Sequence, residues 1–491
     1  MKVRTRIAPS PTGSVHIGSI HNALFAHALA KHNGGDFILR VEDTDQERYV
    51  EGAAEEVYEI LDIFGLAPDE GPVQGGPYAP YIQSKRVDSG VYEQTAEKLV
   101  QKGHAYYCFH TKEELEQMRE SMDKRTAFRS KYRDMDPDEA KKKVEDKEEY
   151  VIRLKVPVGE TITLDDAILG QVEWNSDDID DQVLLKSDGF PTYHLAVVVD
   201  DNIMKISHIT RSYEWLASTP KQVLLYKYLE FDQPIFAHSS LVLDPDGGKL
   251  SKRKGNVSAK SFLEQGYLPE AIKNFLMLLG WAPPIERKHG EKEREIFSHK
   301  EFIDMYELKD RQKTNAVFNR KKLIWFNQQY IKSYESSELL GIFKKWLEKF
   351  SQAPELLEEI QGDEKKYAKA IDLVKMRART FKEVVEMLNF FYQRPEGIDW
   401  NIKQLEKAKG KIQQLKEDII ELMDGMDADT KTWTNDEWAE KMKSLSEKYG
   451  LKTGDSFMVL RVAVVGTPFS PPLFESLQIL GKAEILKRLR Q

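Results

Sequence analysis

His16-Ile17-Gly18-Ser19 sets an imidazole beside a glycine that lets a ligand approach the backbone closely. Lys249-Leu250-Ser251-Lys252-Arg253-Lys254 sets four cations in six positions, between Gly248 and Gly255. The chemistry open to these residue types is the handling of a phosphorylated ligand. An N–H donor would meet phosphate oxygens from the first stretch, and cations on a loop able to fold over the ligand would meet them from the second. Each stretch alone has a simpler reading, a turn histidine in solvent and a solvated basic cluster. Neither common phosphate fingerprint is present: no Gly-x-Gly-x-x-Gly follows the first strand, and Gly13 to Gly18 is not followed by Lys-Ser/Thr.

The elements around the first stretch must present it. Val3, Thr5 and Ile7 alternate with Arg4 and Arg6, the two-residue period of a strand with one face buried. Ile20, Leu24 and Ala28 recur every four residues until Asn33-Gly34-Gly35, which predicts a helix, and Phe37 to Val41 reads as a second strand. Two strands joined by a helical crossover lie parallel. The loop Pro9 to Ser19 then sits at the carboxyl end of a strand and the amino end of a helix, where free backbone N–H groups and a partial positive charge favour a phosphate.

The paired stretches resemble the His-Ile-Gly-His and Lys-Met-Ser-Lys-Ser signatures of class I aminoacyl-tRNA synthetases, with Ser19 in place of the second histidine. Four further stretches narrow the resemblance to bacterial-type glutamyl-tRNA synthetases: Arg6-Ile7-Ala8-Pro9-Ser10-Pro11-Thr12-Gly13, Arg40-Val41-Glu42-Asp43-Thr44-Asp45, Pro191-Thr192-Tyr193-His194-Leu195-Ala196 and Arg211-Ser212-Tyr213-Glu214-Trp215. The resemblance runs over essentially the whole chain. It implies an α/β N-terminal half, a Rossmann-like parallel sheet with an inserted α+β acceptor-binding domain. A helical stem-contact region and an all-α anticodon-binding C-terminal half follow. The implied boundaries are 1–90 plus 190–240 for the catalytic fold, 91–189 for the insert, 241–335 for the stem-contact region with the basic loop, and 336–491 for the anticodon-binding domains.

Composition is compatible with this. A chain of 491 residues has room for three or four domains at about 150 residues each. With 31% charged residues and a net charge of −9, the protein is expected to be soluble, and any nucleic-acid contact must rest on local basic patches. Cys108 is the one cysteine, so an internal disulfide is excluded and a reducing, cytoplasmic setting suits the chain. No apolar run approaches the length of a membrane span. One Cys also falls short of the four-ligand set of a structural zinc, and no zinc is expected.

Along the rest of the chain, Gly52 to Leu66 reads as a helix, Gly65 to Pro80 as a long irregular loop and Thr111 to Tyr150 as a solvated helical stretch. Val151 to Val156, Thr161 to Leu164 and Val172 to Trp174 alternate as strands. Tyr193 to Val199 is wholly apolar and reads as a buried strand ending at Asp200-Asp201, where capping is preferred to metal binding. Pro269 to Gly280 is a helix. Arg311 to Lys322 holds five basic residues and no acidic one, which fits a phosphate backbone. Leu373 to Lys382 carries four cations and no anion, and Leu473 to Leu489 reads as the last helix.

The resemblance implies a two-step reaction. The α-carboxylate of L-glutamate attacks the ATP α-phosphorus, pyrophosphate leaves, and the acyl group passes to the 2′-hydroxyl of the terminal adenosine of tRNA(Glu). The residues it implies as catalytic are His16, Lys249 and Lys252, with Thr12, Gly13, Gly18, Ser19, Trp215, Leu250 and Ser251 also on ATP. For glutamate it implies Arg6, Ser10, Glu42, Tyr193 and Arg211, with Arg211 reading the side-chain carboxylate by a two-pronged hydrogen bond. For tRNA it implies Arg311, Lys313, Arg320, Lys321, Lys322 and Arg377. Magnesium accompanies the ATP, held largely by phosphates and water. Charging of tRNA(Gln) as well is the alternative, and a monomer is the expected state. A nucleotidyltransferase of the same superfamily would not need Arg211 or the helical tail, and a binding-only paralogue would not need the signatures.

Overall fold

Parallel strands β1 (Arg4–Ile7) and β2 (Asp36–Leu39) are joined by α1 (Ile17–His32), with Arg4 opposite Asp36 and Ile7 opposite Leu39. The turn between α1 and β2 demands glycine: a Cβ on Gly35 would stand 1.9 Å from the Val3 carbonyl oxygen. This computed structural model describes residues 2–121, 126–248, 250, 257–285, 293–350, 353–426 and 432–491. They form two compact units, Met1–Ser261 with Lys273–Asn319, and Phe262–Ile272 with Arg320–Gln491.

In the first unit, α2 (Ala53–Ile63), α3 (Gln83–Val87) and α4 (Val91–Gln101) lead into the insert. There β3 (Ala105–Cys108), the solvated α5 (Lys112–Ser121) and α6 (Pro137–Glu145), and β4 (Val151–Leu154) are followed by β5 (Thr161–Asp166), β6 (Gly170–Asn175) and β7 (Val183–Leu185). All these strands pair antiparallel, β5 with β6 as a hairpin and β4 between β3 and β7. The chain then returns through α7 (Tyr193–Ile203) to β8 (His208–Ser212), α8 (Thr219–Leu229) and β9 (Ile235–Ser239). β8 and β9 form a second parallel pair, and the Ser207 N–H donates to the Arg4 carbonyl at 3.0 Å, setting β8 beside β1. This is the α/β half expected, with its parallel strands at the centre.

Two readings need correction here. Tyr193 to Val199 is the first part of helix α7, not a strand, and Asp200-Asp201 lies within that helix rather than capping one. The element runs for 11 residues, helix rather than strand length, because the two aspartates that looked like its end are buried and ion-paired. With Leu195 through Asp201 all buried, α7 lacks the polar face by which a helix is recognised. Nor does β1 have a polar face in solvent, since Arg4 and Arg6 are buried along with Thr5. Arg4 is held by Glu70 at 2.8 and 3.0 Å.

After β9 come β10 (Val242–Leu243), α9 (Ala259–Glu264), α10 (Pro269–Leu278), α11 (His299–Met305) and β11 (Ala316–Val317), the last parallel to β10. In the second unit every regular element described from Arg320 on is helical. These are α12 (Arg320–Ser333), α13 (Ser336–Phe350), α14 (Pro354–Gly362), α15 (Glu364–Lys375), α16 (Phe381–Tyr392), α17 (Ile412–Asp424), α18 (Asn435–Tyr449), α19 (Thr453–Val465), α20 (Leu473–Leu480) and α21 (Lys482–Leu489). The expected last helix is therefore two, broken at Gly481, whose φ of 77° continues no helix. Arg377 and Arg379 lie in the break between α15 and α16. Among the described residues no helix is long and apolar enough to cross a membrane.

Candidate active site

The loop after β1 delivers His16 as the N-cap of α1, its Nδ1 accepting from the Gly18 N–H at 2.9 Å. A neutral imidazole that accepts on Nδ1 carries its proton on Nε2, so the ring is fixed as a donor from that atom. The first N–H groups of α1 are not free, contrary to expectation. Ile17 donates to Val257 O and Ser19 to His16 O, each at 2.8 Å. What the helix start offers an anion is thus its dipole and the His16 ring rather than a row of vacant N–H groups.

An open cavity of about 480 Å³ lies at the carboxyl ends of β1, β2, β8 and β9. In sheets of parallel strands that is where ligands bind. Five side chains expected to hold an amino acid, Arg6, Ser10, Glu42, Tyr193 and Arg211, all line it. So do His16, Gly18, Ser19, Trp215 and Leu250. Thr12 and Gly13 line an adjoining cavity of about 210 Å³ that shares Ser10, His16 and Ser19. Lys249, Ser251 and Lys252, with the rest of the basic loop to residue 256, lie outside the described residues.

Arg211 is the penultimate residue of β8 and is buried. Its Nε donates to His238 Nε2 at 2.9 Å, one terminal nitrogen to Tyr193 Oη at 3.2 Å and the other to Thr219 Oγ1 at 2.8 Å. All three partners are uncharged. Burial draws the Arg211 pKa down, yet a guanidinium stays protonated. Three of its five N–H donors are engaged, which leaves one on each terminal nitrogen for an anion. Tyr193 itself is packed on Trp215, ring centres 4.9 Å apart, and burial raises its phenol pKa.

At and beneath the cavity wall formed by Arg6 and Glu42 lie six buried charges in balance. Arg40 donates to Asp201 at 2.6 Å and to Glu42 at 3.0 Å. Arg6 donates to Asp201 at 3.2 and 3.4 Å, and Arg86 pairs with Asp200 at 3.0 Å. Burial raises the Glu42 carboxyl pKa, with Arg40 and Arg6 opposing it. Three guanidiniums face three carboxylates, which balances the charge at depth, although the Nε groups of Arg40 and Arg86 make no hydrogen bond. Among the described residues no group of three His, Cys, Asp or Glu is placed to hold a metal. The thiol of buried Cys108 lies 3.5 Å from Ser130 Oγ.

The expected tRNA-binding residues divide. Lys313, Arg320 and Lys321 are exposed, and Lys322 lies over the Trp325 ring at 4.6 Å. Arg311 is instead buried, its guanidinium 3.5 Å from the Phe25 ring centre, which removes it from any surface strip. Arg377 is exposed and donates to Ser470 O at 2.7 Å. Asp166, His238 and Thr219 behind Arg211 escaped the sequence reading, as did the pairing of Arg40 with Asp201, since partners so far apart leave no local signal.

Residues 2–325 match the class I tRNA synthetase (E and Q) catalytic domain, and residues 338–491 an anticodon binding domain. The chain is similar to the glutamate–tRNA ligase of Finegoldia magna, 40% identical over 100% of this chain and 99% of that one. It is 38% identical to that of Borreliella burgdorferi over 100% and 98%. A crystal structure of a glutamate tRNA ligase from Elizabethkingia meningosepticum, in complex with its amino acid, superposes with a TM-score of 0.82 at 38% identity, covering 100% of this chain and 99% of that one. Matched from end to end in sequence, domain order and fold, the chain belongs to the glutamate–tRNA ligases, a family of class I aminoacyl-tRNA synthetases.

Proposed function

We propose that this chain activates L-glutamate with ATP in the cavity described, and passes the glutamyl group to the 2′-hydroxyl of the terminal adenosine of tRNA(Glu). The observation that carries the reading is the buried Arg211, lining the cavity and held by three uncharged partners with one N–H donor remaining on each terminal nitrogen. The side-chain carboxylate of glutamate supplies the missing anion. Glutamine offers a neutral amide instead and leaves the buried cation unpaired, a cost of about 3–5 kcal/mol or two to four decades in selectivity. Glu42 takes the α-ammonium, with Arg6, Ser10 and Tyr193 completing the pocket.

In the first step an oxygen of the glutamate α-carboxylate bonds to the α-phosphorus as the bond to pyrophosphate breaks. Charge gathers on the phosphate oxygens, where His16 donates from Nε2 and Lys249 and Lys252 neutralise the leaving group. In the second step the tRNA hydroxyl attacks the acyl carbon and AMP leaves. Magnesium enters with ATP, held largely by phosphates and water.

In the second unit Arg377 and Arg461 both donate to Ser470, next to Phe469, which is 78% exposed. Guanidiniums beside an exposed ring suit an unstacked base, and we assign this corner to the anticodon, with Arg377 favouring tRNA(Glu) alone. Charging purified tRNA(Glu) and tRNA(Gln) separately with labelled glutamate, with Lys252→Ala as blank, tests the reading. Charging of tRNA(Glu) only is expected; charging of both sinks the Arg377 assignment, and charging of neither sinks the activity.

A further inference from the structure

We propose that Asp166 and His238 are positioning residues for the amino-acid site, fixing the guanidinium of Arg211 through the tautomer of His238. The proposal rests on the reading of Arg211 as the group that takes the substrate's side-chain carboxylate. Asp166 ends β5 in the insert, and His238 stands on β9; both are buried, His238 fully. Asp166 Oδ2 lies 2.6 Å from His238 Nδ1, and His238 Nε2 lies 2.9 Å from Arg211 Nε. The three side chains form one line from the insert's hairpin to the floor of the cavity.

The chemistry of the line has one consistent arrangement. The Nε–H of an arginine can only donate, so His238 Nε2 must accept, and a neutral ring then carries its proton on Nδ1. Asp166, which can only accept when ionised, receives that proton's hydrogen bond. The remaining oxygen of Asp166 is occupied by the Ile168 and Leu169 N–H groups, both at 2.9 Å, and cannot turn away. Burial keeps His238 neutral despite the carboxylate beside it. In the other tautomer an N–H on Nε2 would face the Arg211 N–H and push the guanidinium off its line.

Asn at position 166 separates this role from mere packing. Its oxygen is retained by the two backbone donors, so its NH2 faces His238 Nδ1 and selects the wrong tautomer, and the substitution also removes an acceptor of the His238 backbone N–H, 3.1 Å from Oδ2. Gln at 238 places a carbonyl oxygen near the position of Nε2, and its amide has no tautomer to lose. In the full-length enzyme, Asp166→Asn is expected to raise the glutamate KM on the order of 100-fold, as small misplacements in a site do, while the ATP KM stays within about twofold. His238→Gln raises the glutamate KM by less than about tenfold, and the double variant matches His238→Gln instead of multiplying the two effects. A wild-type glutamate KM in Asp166→Asn, or effects that multiply, would overturn the proposal. The 15N shifts of the His238 ring in the unmutated protein give a measurement that needs no variant to fold. Protonation on Nδ1 is expected, and protonation on Nε2 would overturn it. Arg211→Lys distinguishes the two levels: an unchanged glutamate KM there refutes the role of Arg211 itself, whereas a raised one beside an unaffected Asp166→Asn refutes only the positioning pair.

Discussion

Arg40 donates to Asp201 across 2.6 Å with neither side chain more than 1% exposed, and the same carboxylate also holds Arg6 at the cavity wall. Burial pushes the Asp201 carboxyl up, but Arg40 and Arg6 outweigh it and the net pKa is below the ordinary value. Asp201→Ala leaves Arg40 at full depth with one carboxylate fewer. The expected loss of stability is about 3–5 kcal/mol, read in urea unfolding at pH 7, accompanied by a raised glutamate KM as Arg6 loses its anchor. A midpoint equal to that of the parent would show that the network is not what holds α7 to β1 and β2.

The helix cap formed by His16 and the phosphate contact proposed for it can be separated by substitution. Nδ1 of the ring caps α1, and Nε2 is the donor assigned to the phosphates. His16→Asn keeps a side-chain acceptor for the Gly18 N–H and discards the second nitrogen; His16→Ala discards both. Stability is expected to fall by about 1 kcal/mol in the alanine variant only. Glutamate-dependent pyrophosphate exchange is expected to fall by about 100-fold or more in both. If the asparagine variant retained full exchange, His16 would be a cap and nothing else.

How much of this was legible beforehand depends on how local the cause is. The unit β1, α1, β2 was readable because its periodicities, its Asn33-Gly34-Gly35 stop and its loop all act within a few residues. Helix α7 was not, because burial on every side removed the polar face and turned its two aspartates inward. Arg311 looked like the start of a basic strip because no acidic residue stands between it and Lys322 in sequence. Nothing local records that Gly280 leaves room for its guanidinium, where a Cβ would come within 2.7 Å of a terminal nitrogen. Buried there beneath Phe25, Arg311 has its pKa drawn down to about 10 by loss of solvent. The pair behind Arg211 was invisible for a related reason. Asp166 meets His238 across 72 residues of chain, and only the fold brings them together.

Glu484 provides a pH test confined to the second unit. It accepts from Arg394 at 2.8 and 3.0 Å and from Arg488 at 2.9 Å. Partial burial pushes its carboxyl up, and the two guanidiniums overcome this and hold it down at about 2. A folded value below the ordinary 4.5 means that the stabilisation is fully present above pH 4.5 and is lost as pH falls toward 2. Glu484→Gln is therefore expected to be less stable than the parent at pH 7, by about 1 kcal/mol or more, since Arg394 is screened by solvent but Arg488 is buried. The deficit should shrink between pH 4.5 and 3 in urea titrations. A deficit independent of pH would assign the loss to packing in place of charge.

Phe469 is the most exposed of the large apolar side chains described, at 78%, in a chain whose other aromatic rings are mostly packed. It follows Pro468 after the break at Gly466, and Ser470 beside it is the acceptor for both Arg377 and Arg461. The two like charges are close enough that Arg377 helps to lower the Arg461 pKa, after burial, the larger cause. Two cations drawn together beside an exposed ring repel each other until an anion or a base edge joins them. Phe469→Ala removes a stacking surface worth about 1–3 kcal/mol per base, so the tRNA KM is expected to rise by about 10-fold or more. Since the ring is almost wholly in solvent, unfolding midpoints should not move. Phe469→Tyr, which keeps the stacking face, should restore the tRNA KM. If alanine left the KM unchanged, the exposed ring would have no part in reading tRNA; if tyrosine behaved like alanine, the ring would act by shape rather than by stacking.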